Sequence, residues 1–144
     1  MKILFGKILA DMEYRERPAA YAVITNEFGS IAAVKGKQQF FLPGGGSLPN
    51  ETPEATIQRE LREELAREVK LIRKLGEAIQ YFSVGEEHYR MHATFYRAEF
   101  ISEPNGEAEH ELFWLAPQVV AGQFFHQCHE WAIGIRDKFD PTPH

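Results

Sequence analysis

Residues 40–67 read FFLPGGGSLPNETPEATIQRELREELAR, and they are the most informative part of the sequence about its structure. Three glycines follow a short apolar segment, and a helix start follows the glycines. Thr52 is a favourable N-cap residue, Pro53 suits the first helical position, and Glu54 places an acid in the first turn. The apolar spacing beyond them is helical. We therefore predict a glycine-rich loop followed by a helix that continues to about residue 69.

Three acidic residues of this helix lie on one side. At about 100° per residue, Glu60, Glu63 and Glu64 share a stripe of roughly 100°, next to the apolar stripe that the helix buries. One interpretation is a solvated helix, since Arg59 pairs with Glu63 at i,i+4 spacing. The other is a cation site, because clustered carboxylates suit Mg²⁺ or Mn²⁺. The preceding glycines favour the second, because they allow the backbone to approach a ligand closely.

The stretch resembles the Nudix box, the signature of the MutT-like Nudix hydrolases. Gly45 is followed after five residues by Glu51, and after seven more by the segment RELREEL, residues 59–65. The resemblance implies an α/β fold, the Nudix α/β/α sandwich with a mixed β-sheet. It also implies hydrolysis of a nucleoside diphosphate linked to another moiety. The two closing positions depart, since Ala66 stands where glycine is usual and Arg67 where an aliphatic residue is usual. Because alanine disfavours a left-handed helix cap, we expect the helix to run on to Val69 or Lys70.

Carried over position by position, the resemblance assigns the metal and the catalytic residues. The implied ligands of Mg²⁺, with Mn²⁺ as the alternative, are Glu60, Glu63, Glu64 and the carbonyl oxygen of Gly44. Arg59 and Glu51 would orient these acids. The general base is either Glu60 or an acid from the segment EHELFWL, where Glu109 is favoured over Glu111. The competing interpretation of that segment is an exposed acidic loop.

Candidate substrate contacts lie around the same box. Phosphate oxygens would meet Arg17, Lys35 and the backbone of Gly45 and Gly46, although solvated lysines in turns are common. Four aromatic residues could stack a nucleobase or pack in the core: Tyr21, Phe82, Tyr89 and Phe125. His126 and His129 are three residues apart on a predicted helix, but no third ligand accompanies them, so a zinc site is not expected.

The remaining chain predicts a single domain over residues 1–144. Strands are expected at 19–25 and 31–35 as a hairpin, and also at 39–42, 75–84, 89–101 and 112–115. A terminal helix is indicated by apolar residues at helical spacing, from Phe124 to Phe139. The single cysteine, Cys128, excludes an internal disulfide, and no apolar run is long enough for a bilayer, so we expect a cytoplasmic protein.

The net charge of −5 argues against a nucleic-acid polymer as partner. The charge is concentrated: residues 51–68 hold six Glu and three Arg, and residues 99–111 hold five Glu without Lys or Arg. The first segment is the predicted cation site, and bound cations would let it accept a polyphosphate.

The expected substrate is a small nucleotide, namely a normal or oxidised nucleoside triphosphate cleaved to the monophosphate and pyrophosphate. ADP-ribose, nucleotide sugars and dinucleoside polyphosphates are the alternatives. A non-catalytic nucleotide-binding module on the same fold is a further alternative, and a homodimer is left open.

Overall fold

The computed structural model describes residues 2–138, which form two sheets and two α-helices. The strands are β1 (Ile3–Phe5), β2 (Arg15–Ile24), β3 (Ile31–Lys35), β4 (Phe40–Phe41), β5 (Gly44–Gly46), β6 (Val69–Val84), β7 (Glu87–Phe100) and β8 (Leu112–Leu115). The helices are α1 (Pro53–Leu65) and α2 (Gln127–Gly134), with a short 3₁₀ turn at Pro117–Val119. None of the helices in the described range has the length and apolarity needed to cross a bilayer.

The larger sheet has the order β1-β6-β7-β2-β5 and mixes strand directions, whereas the smaller antiparallel sheet has the order β4-β3-β8. Strand β2 is the centre of the fold because it is buried on both faces. Tyr21 and Val23 face the core beneath α2, and Ala20 and Ala22 face the core beneath α1. The α/β/α sandwich with a mixed sheet is therefore confirmed.

The predicted hairpin over 19–35 is wrong. Both elements are strands, but β2 and β3 share a single bridge, Thr25 to Ile31, and belong to different sheets. The edges of β2 are occupied by β7 and β5, so β3 pairs instead with β4 and β8. The remaining predicted strands are confirmed, although β6 and β7 form a longer hairpin than expected.

The terminal helix is confirmed as α2. Its apolar face buries Cys128, Ala132 and Ile133 in the core, with Phe124 before the helix and Ile135 after it. Phe139 lies outside the described residues.

The prediction that α1 continues to Val69 or Lys70 is wrong. The helix ends at Leu65, and Ala66 adopts the left-handed conformation with φ 55° and ψ 39°. The following chain compensates, since the Ala66 amide donates to Arg62 O at 3.0 Å and Asn105 N donates to Ala66 O at 2.8 Å. The Arg67 guanidinium lies 3.8 Å from the centre of the Phe100 ring, which gives the unusual arginine a packing role.

This cap predicts that Ala66→Gly stabilises the protein. The left-handed conformation costs an alanine about 1–2 kcal/mol, and the extra freedom of glycine in the unfolded chain offsets part of the gain. We expect a net gain of about 0.5–1 kcal/mol in the free energy of unfolding by urea, with an unchanged m-value. The matched control is Ala55→Gly within α1, which should lose about 1 kcal/mol. An Ala66→Gly protein no more stable than the parent would contradict the cap.

Candidate active site

The three glycines form strand β5 rather than the predicted loop, because they pair with residues 19–21 of β2. Each glycine makes room for a different neighbour. A Cβ atom on Gly44, whose φ is 138°, would collide with the backbone of β2. A Cβ atom on Gly45 would lie 2.7 Å from a carboxylate oxygen of Glu60, and one on Gly46 would lie 3.2 Å from the Arg17 guanidinium. Because β5 has no side chains, the Glu60 carboxylate of α1 and the Arg17 guanidinium of β2 can both lie directly against it.

Arg59 connects the glycine strand to the acidic face of α1. Its Nε and Nη2 atoms donate to the two carboxylate oxygens of Glu51, at 2.8 and 3.0 Å. Nη2 also donates to Gly46 O at 2.9 Å, and Nη1 donates to Glu60 at 2.7 Å and Glu63 at 3.2 Å. Arg59 thus joins the glycine strand to three acids, which is the arrangement that the predicted orienting role requires.

Glu51 anchors this network at the start of the helix. Its Oε1 atom also accepts hydrogen bonds from Leu48 N at 3.0 Å and Thr56 Oγ1 at 2.8 Å. The hydrogen bonds from Arg59 and Leu48 lower the pKa of Glu51 to about 2. The carboxylate therefore remains charged and holds Arg59 at any pH near neutrality.

Glu64 is the most buried acid of α1. Its side chain accepts a hydrogen bond from Gly44 N at 2.9 Å, and the residue is only 9% exposed. Burial raises the pKa of Glu64 to about 8, and the neighbouring charges of Glu60, Glu109 and Glu63 add to the effect. Burial also raises the pKa of Glu60. The raised pKa values mean that the ionised forms of these two carboxyl groups are unfavourable without a partner. A cation bound beside them would stabilise the ionised forms.

The acidic loop before β8 reaches the same site. Glu109 N donates to Glu63 O at 3.2 Å, and His110 N donates to Glu64 O at 2.9 Å. These bonds place Glu109 near the acids of α1, close enough for its charge to raise the pKa of Glu60 and Glu64. The structure therefore brings the predicted loop acid beside the box acids, while the side chain itself remains exposed.

A cleft of about 760 Å³ opens above these residues. Glu60, Glu64 and the glycine strand form one side, and Arg17 and Lys35 also line the cleft. The Lys35 ammonium group lies 5.7 Å from the centre of the Phe40 ring. Both basic residues that the sequence predicts as phosphate contacts thus face the cleft that holds the acids.

A second part of the cleft lining is aromatic. The rings of Phe82 and Tyr89 stack at a centroid distance of 5.0 Å, and Phe125 meets Phe82 edge to face at 6.0 Å. All three line the cleft, as does Tyr21, which is otherwise a core residue. The exposed flat surface of such a cluster is suited to stacking a nucleobase.

The sequence analysis missed His126 and His110 as residues of the cleft. His126 packs against Phe82 at 4.6 Å and against His129 at 5.0 Å between ring centres, and it is 3% exposed. The spacing of His126 and His129 is visible in the sequence. The position of His126 beside Phe82, however, depends on how α2 packs on the sheet. Burial and the Arg17 charge lower the pKa of His126 to about 4, so the ring is neutral at physiological pH.

This buried histidine predicts acid sensitivity. The pKa of His126 is near 6.5 in the unfolded chain and about 4 in the fold, so stability is fully present above pH 6.5 and lost as pH falls towards 4. The loss attributable to His126 is about 3 kcal/mol. In urea unfolding across this range, His126→Leu should flatten the pH dependence of the free energy of unfolding. If the free energy of unfolding changed with pH in the same way for the parent and for His126→Leu, His126 would not be the cause of the acid sensitivity.

The family follows from comparison with known proteins. The model of the NUDIX domain matches residues 15–133, and the chain belongs to this family. A Haemophilus influenzae protein named 8-oxo-dGTP diphosphatase is 35% identical over 114 residues, which cover 73% of this chain and 80% of that protein. The resemblance to MutT-like Nudix hydrolases is therefore confirmed.

Solved structures agree in fold. The MutT Nudix hydrolase from Burkholderia pseudomallei has a TM-score of 0.68 and 25% identity, covering 84% of this chain and 98% of that one. The MutT protein from Methanosarcina mazei Go1 has a TM-score of 0.67 at 20% identity, covering 89% and 97%. The second likeness concerns the fold alone.

Proposed function

We propose that this protein hydrolyses a purine nucleoside triphosphate, normal or oxidised, to the nucleoside monophosphate and pyrophosphate. The observation that carries the proposal is the composition of one cleft, which has buried acids and a glycine strand in one part of its lining and stacked aromatic rings in another. A polyphosphate with a planar base is complementary to both parts. The name of the Haemophilus influenzae relative, an 8-oxo-dGTP diphosphatase, supports the choice of an oxidised purine.

Divalent metal ions are general cofactors of the family, and we propose Mg²⁺ here, with Mn²⁺ as the alternative. Glu60, Glu63 and Glu64, with the Gly44 carbonyl, offer the hard oxygen donors that Mg²⁺ prefers. Within residues 2–138 no three acidic, His or Cys side chains converge on one point. Glu60 and Glu63 instead turn to Arg59. Glu63 is 47% exposed at its side chain and can reorient, so the donor set fits the metal by its chemistry. The bound metal would supply charge neutralisation and activation of water.

The side chains of the cleft account for the rest of the reaction. Water attacks one of the two phosphorus atoms that flank the oxygen between the α- and β-phosphates. The bond from that phosphorus to the bridging oxygen breaks, and the other phosphate group leaves with this oxygen, which gives the monophosphate and pyrophosphate. Glu60 or Glu109 accepts the proton of the attacking water. Arg17 and Lys35 bind phosphate oxygens, and Arg59 holds the acids in place through Glu51. The aromatic part of the lining fixes the base.

A substrate panel tests this proposal. We would incubate the protein with Mg²⁺ and either dGTP, 8-oxo-dGTP, ADP-ribose, a nucleotide sugar or a dinucleoside polyphosphate, and identify the products. The expected result is metal-dependent release of a monophosphate and pyrophosphate from the triphosphates, fastest with 8-oxo-dGTP. Faster turnover of ADP-ribose than of the triphosphates would show that the preferred substrate is of the ADP-ribose type. Binding without any turnover would support the non-catalytic module.

Removal of an aromatic ring should weaken binding more than chemistry. Phe125 is 37% exposed and lines the cleft, so Phe125→Ala removes a stacking surface. Loss of one base–aromatic contact costs about 1–3 kcal/mol, and we expect KM to rise about tenfold while kcat changes little. Phe28→Ala is the control, because Phe28 is 82% exposed and lies outside the cleft lining. An unchanged KM for Phe125→Ala would place the base elsewhere.

Three predictions from the sequence remain proposals. We propose that residues 1–144 form a single domain, that the protein acts in the cytoplasm, and that it is able to form a homodimer. A size measurement by light scattering tests the last of these.

A further inference from the structure

A second group of cations lies at the other end of β2. Arg73, Arg97 and Arg136 come from β6, β7 and the segment after α2. Arg97 and Arg136 pair with Asp137, and Arg73 donates to the backbone of Arg136. A cavity of about 240 Å³ is lined by Arg73, Arg97 and Asp137, with Thr25 at the end of β2. None of these residues belongs to the catalytic cleft.

Two of the arginines oppose each other directly. Arg73 and Arg97 are partners in the pairing of β6 with β7, and a β-bulge lies between Leu71 and Arg73. Like charges at directly opposed positions destabilise a sheet, and bulges reorient side chains near functional sites. Arg136 adds a third positive charge. Burial is the largest cause that lowers the pKa of Arg97; the Asp137 charge raises it, and the charges of Arg73 and Arg136 lower it further.

The protein neutralises these charges only in part. Arg97 donates to Thr25 Oγ1 at 2.9 Å and to Val23 O at 3.4 Å, and Arg73 donates to Arg136 O at 2.6 Å. All three acceptors are uncharged. Within residues 2–138, the Arg73 Nε atom is buried without a hydrogen-bond partner.

Two carboxylates, those of Asp137 and Glu99, line the same cavity. Asp137 forms ion pairs with Arg97 and Arg136 at 3.8 Å, which is beyond hydrogen-bond length, and its side chain is 73% exposed. Glu99 is exposed, and in the described part of the chain it forms no ion pair with the arginines. Arg73 and Arg97 therefore line a cavity that a small anion could enter, in competition with long and solvent-exposed ion pairs.

The position of this group separates it from the reaction. Arg17 lines the catalytic cleft and Thr25 lines the second cavity, eight residues further along the same extended chain, which is about 26 Å. A triphosphate in the cleft cannot reach both.

We propose that Arg73 and Arg97, with Arg136 beside them, form a second binding site for a small phosphate-bearing anion. Guanidinium groups match the oxygens of phosphate in pairs, and two of them line the cavity. The cavity of about 240 Å³ accommodates a phosphate group and its waters, since one water occupies about 30 Å³. The anion is either free phosphate or the phosphate of a small monoester.

The test measures thermal unfolding in phosphate against chloride at equal ionic strength. A tenfold excess of phosphate over its dissociation constant should raise Tm by about 5 °C. Arg97→Gln should lose this phosphate-dependent increase whatever its own Tm. Arg90→Gln, on the same strand, should keep it. Arg17→Gln should also keep it, which separates the second site from phosphate bound in the catalytic cleft.

Calorimetric titration with inorganic phosphate and glycerol 3-phosphate then distinguishes the two sources, and binding of either supports the proposal. A phosphate effect that disappears in Arg17→Gln but survives in Arg97→Gln would overturn it.

Discussion

The Glu64→Gln variant is expected to lose about 10³-fold in metal-dependent turnover while it keeps its fold. The amide oxygen of glutamine can still accept the hydrogen bond from Gly44 N, so the contact between α1 and β5 survives. The negative charge proposed to bind the metal is lost. Burial raises the pKa of Glu64 to about 8, which indicates that a neutral group is well tolerated at this position.

The measurement is kcat under saturating Mg²⁺, accompanied by circular dichroism and the unfolding midpoint. Glu68→Gln is the matched control, because Glu68 is a charged residue just beyond α1 that pairs with Arg62 outside the cleft. It should retain parental turnover. A folded Glu64→Gln protein with parental kcat would remove Glu64 from the catalytic machinery.

We expect the second large effect, on both stability and turnover, when Arg59 is replaced with methionine. The side chain of Glu51 is 13% exposed and that of Glu60 is 18% exposed, so the change leaves two partly buried carboxylates without their cation. Removing one partner of such a pair costs about 3 kcal/mol in the free energy of unfolding. Turnover should fall about 10- to 100-fold because the acids lose their orientation.

Two companion variants separate charge from geometry. Arg59→Lys keeps the charge but loses the two parallel bonds to Glu51, so it should recover only part of the stability. Arg62→Met lies three residues along the same helix and removes one exposed ion pair with Glu68, for which we expect a loss below about 1 kcal/mol. If Arg59→Met and Arg62→Met lost the same free energy of unfolding, Arg59 would contribute no more than an ordinary surface arginine.

The sequence predicts the acidic part of the site well because its geometry is local. Glu60, Glu63 and Glu64 share a face by helix periodicity alone, and Thr52 determines where that helix starts. The end of the helix is not local. Ala66 takes an unfavourable conformation because Asn105, some forty residues later, donates to its carbonyl oxygen. The intrinsic preference of alanine is against the left-handed conformation, so the position where α1 ends could not be predicted from the sequence.

The aromatic part of the site lies beyond sequence reasoning for a similar reason. Phe82, Tyr89 and Phe125 come from two strands and the segment before α2, and nothing in their spacing distinguishes a binding surface from core packing. The role of the glycines is also tertiary. Gly45 is needed because the Glu60 carboxylate occupies the space that a side chain would take.

The hydrogen bonds from the acidic loop to α1 have a consequence for how the protein can vary. Glu63 and Glu64 each contribute a carboxylate to the acidic face of α1 and a carbonyl oxygen to the loop. An added or deleted residue between Asn105 and Glu109 would therefore detach Glu109 and uncap the helix in one event. Loop length and site geometry therefore constrain each other, because backbone atoms of the loop make the bonds that join them.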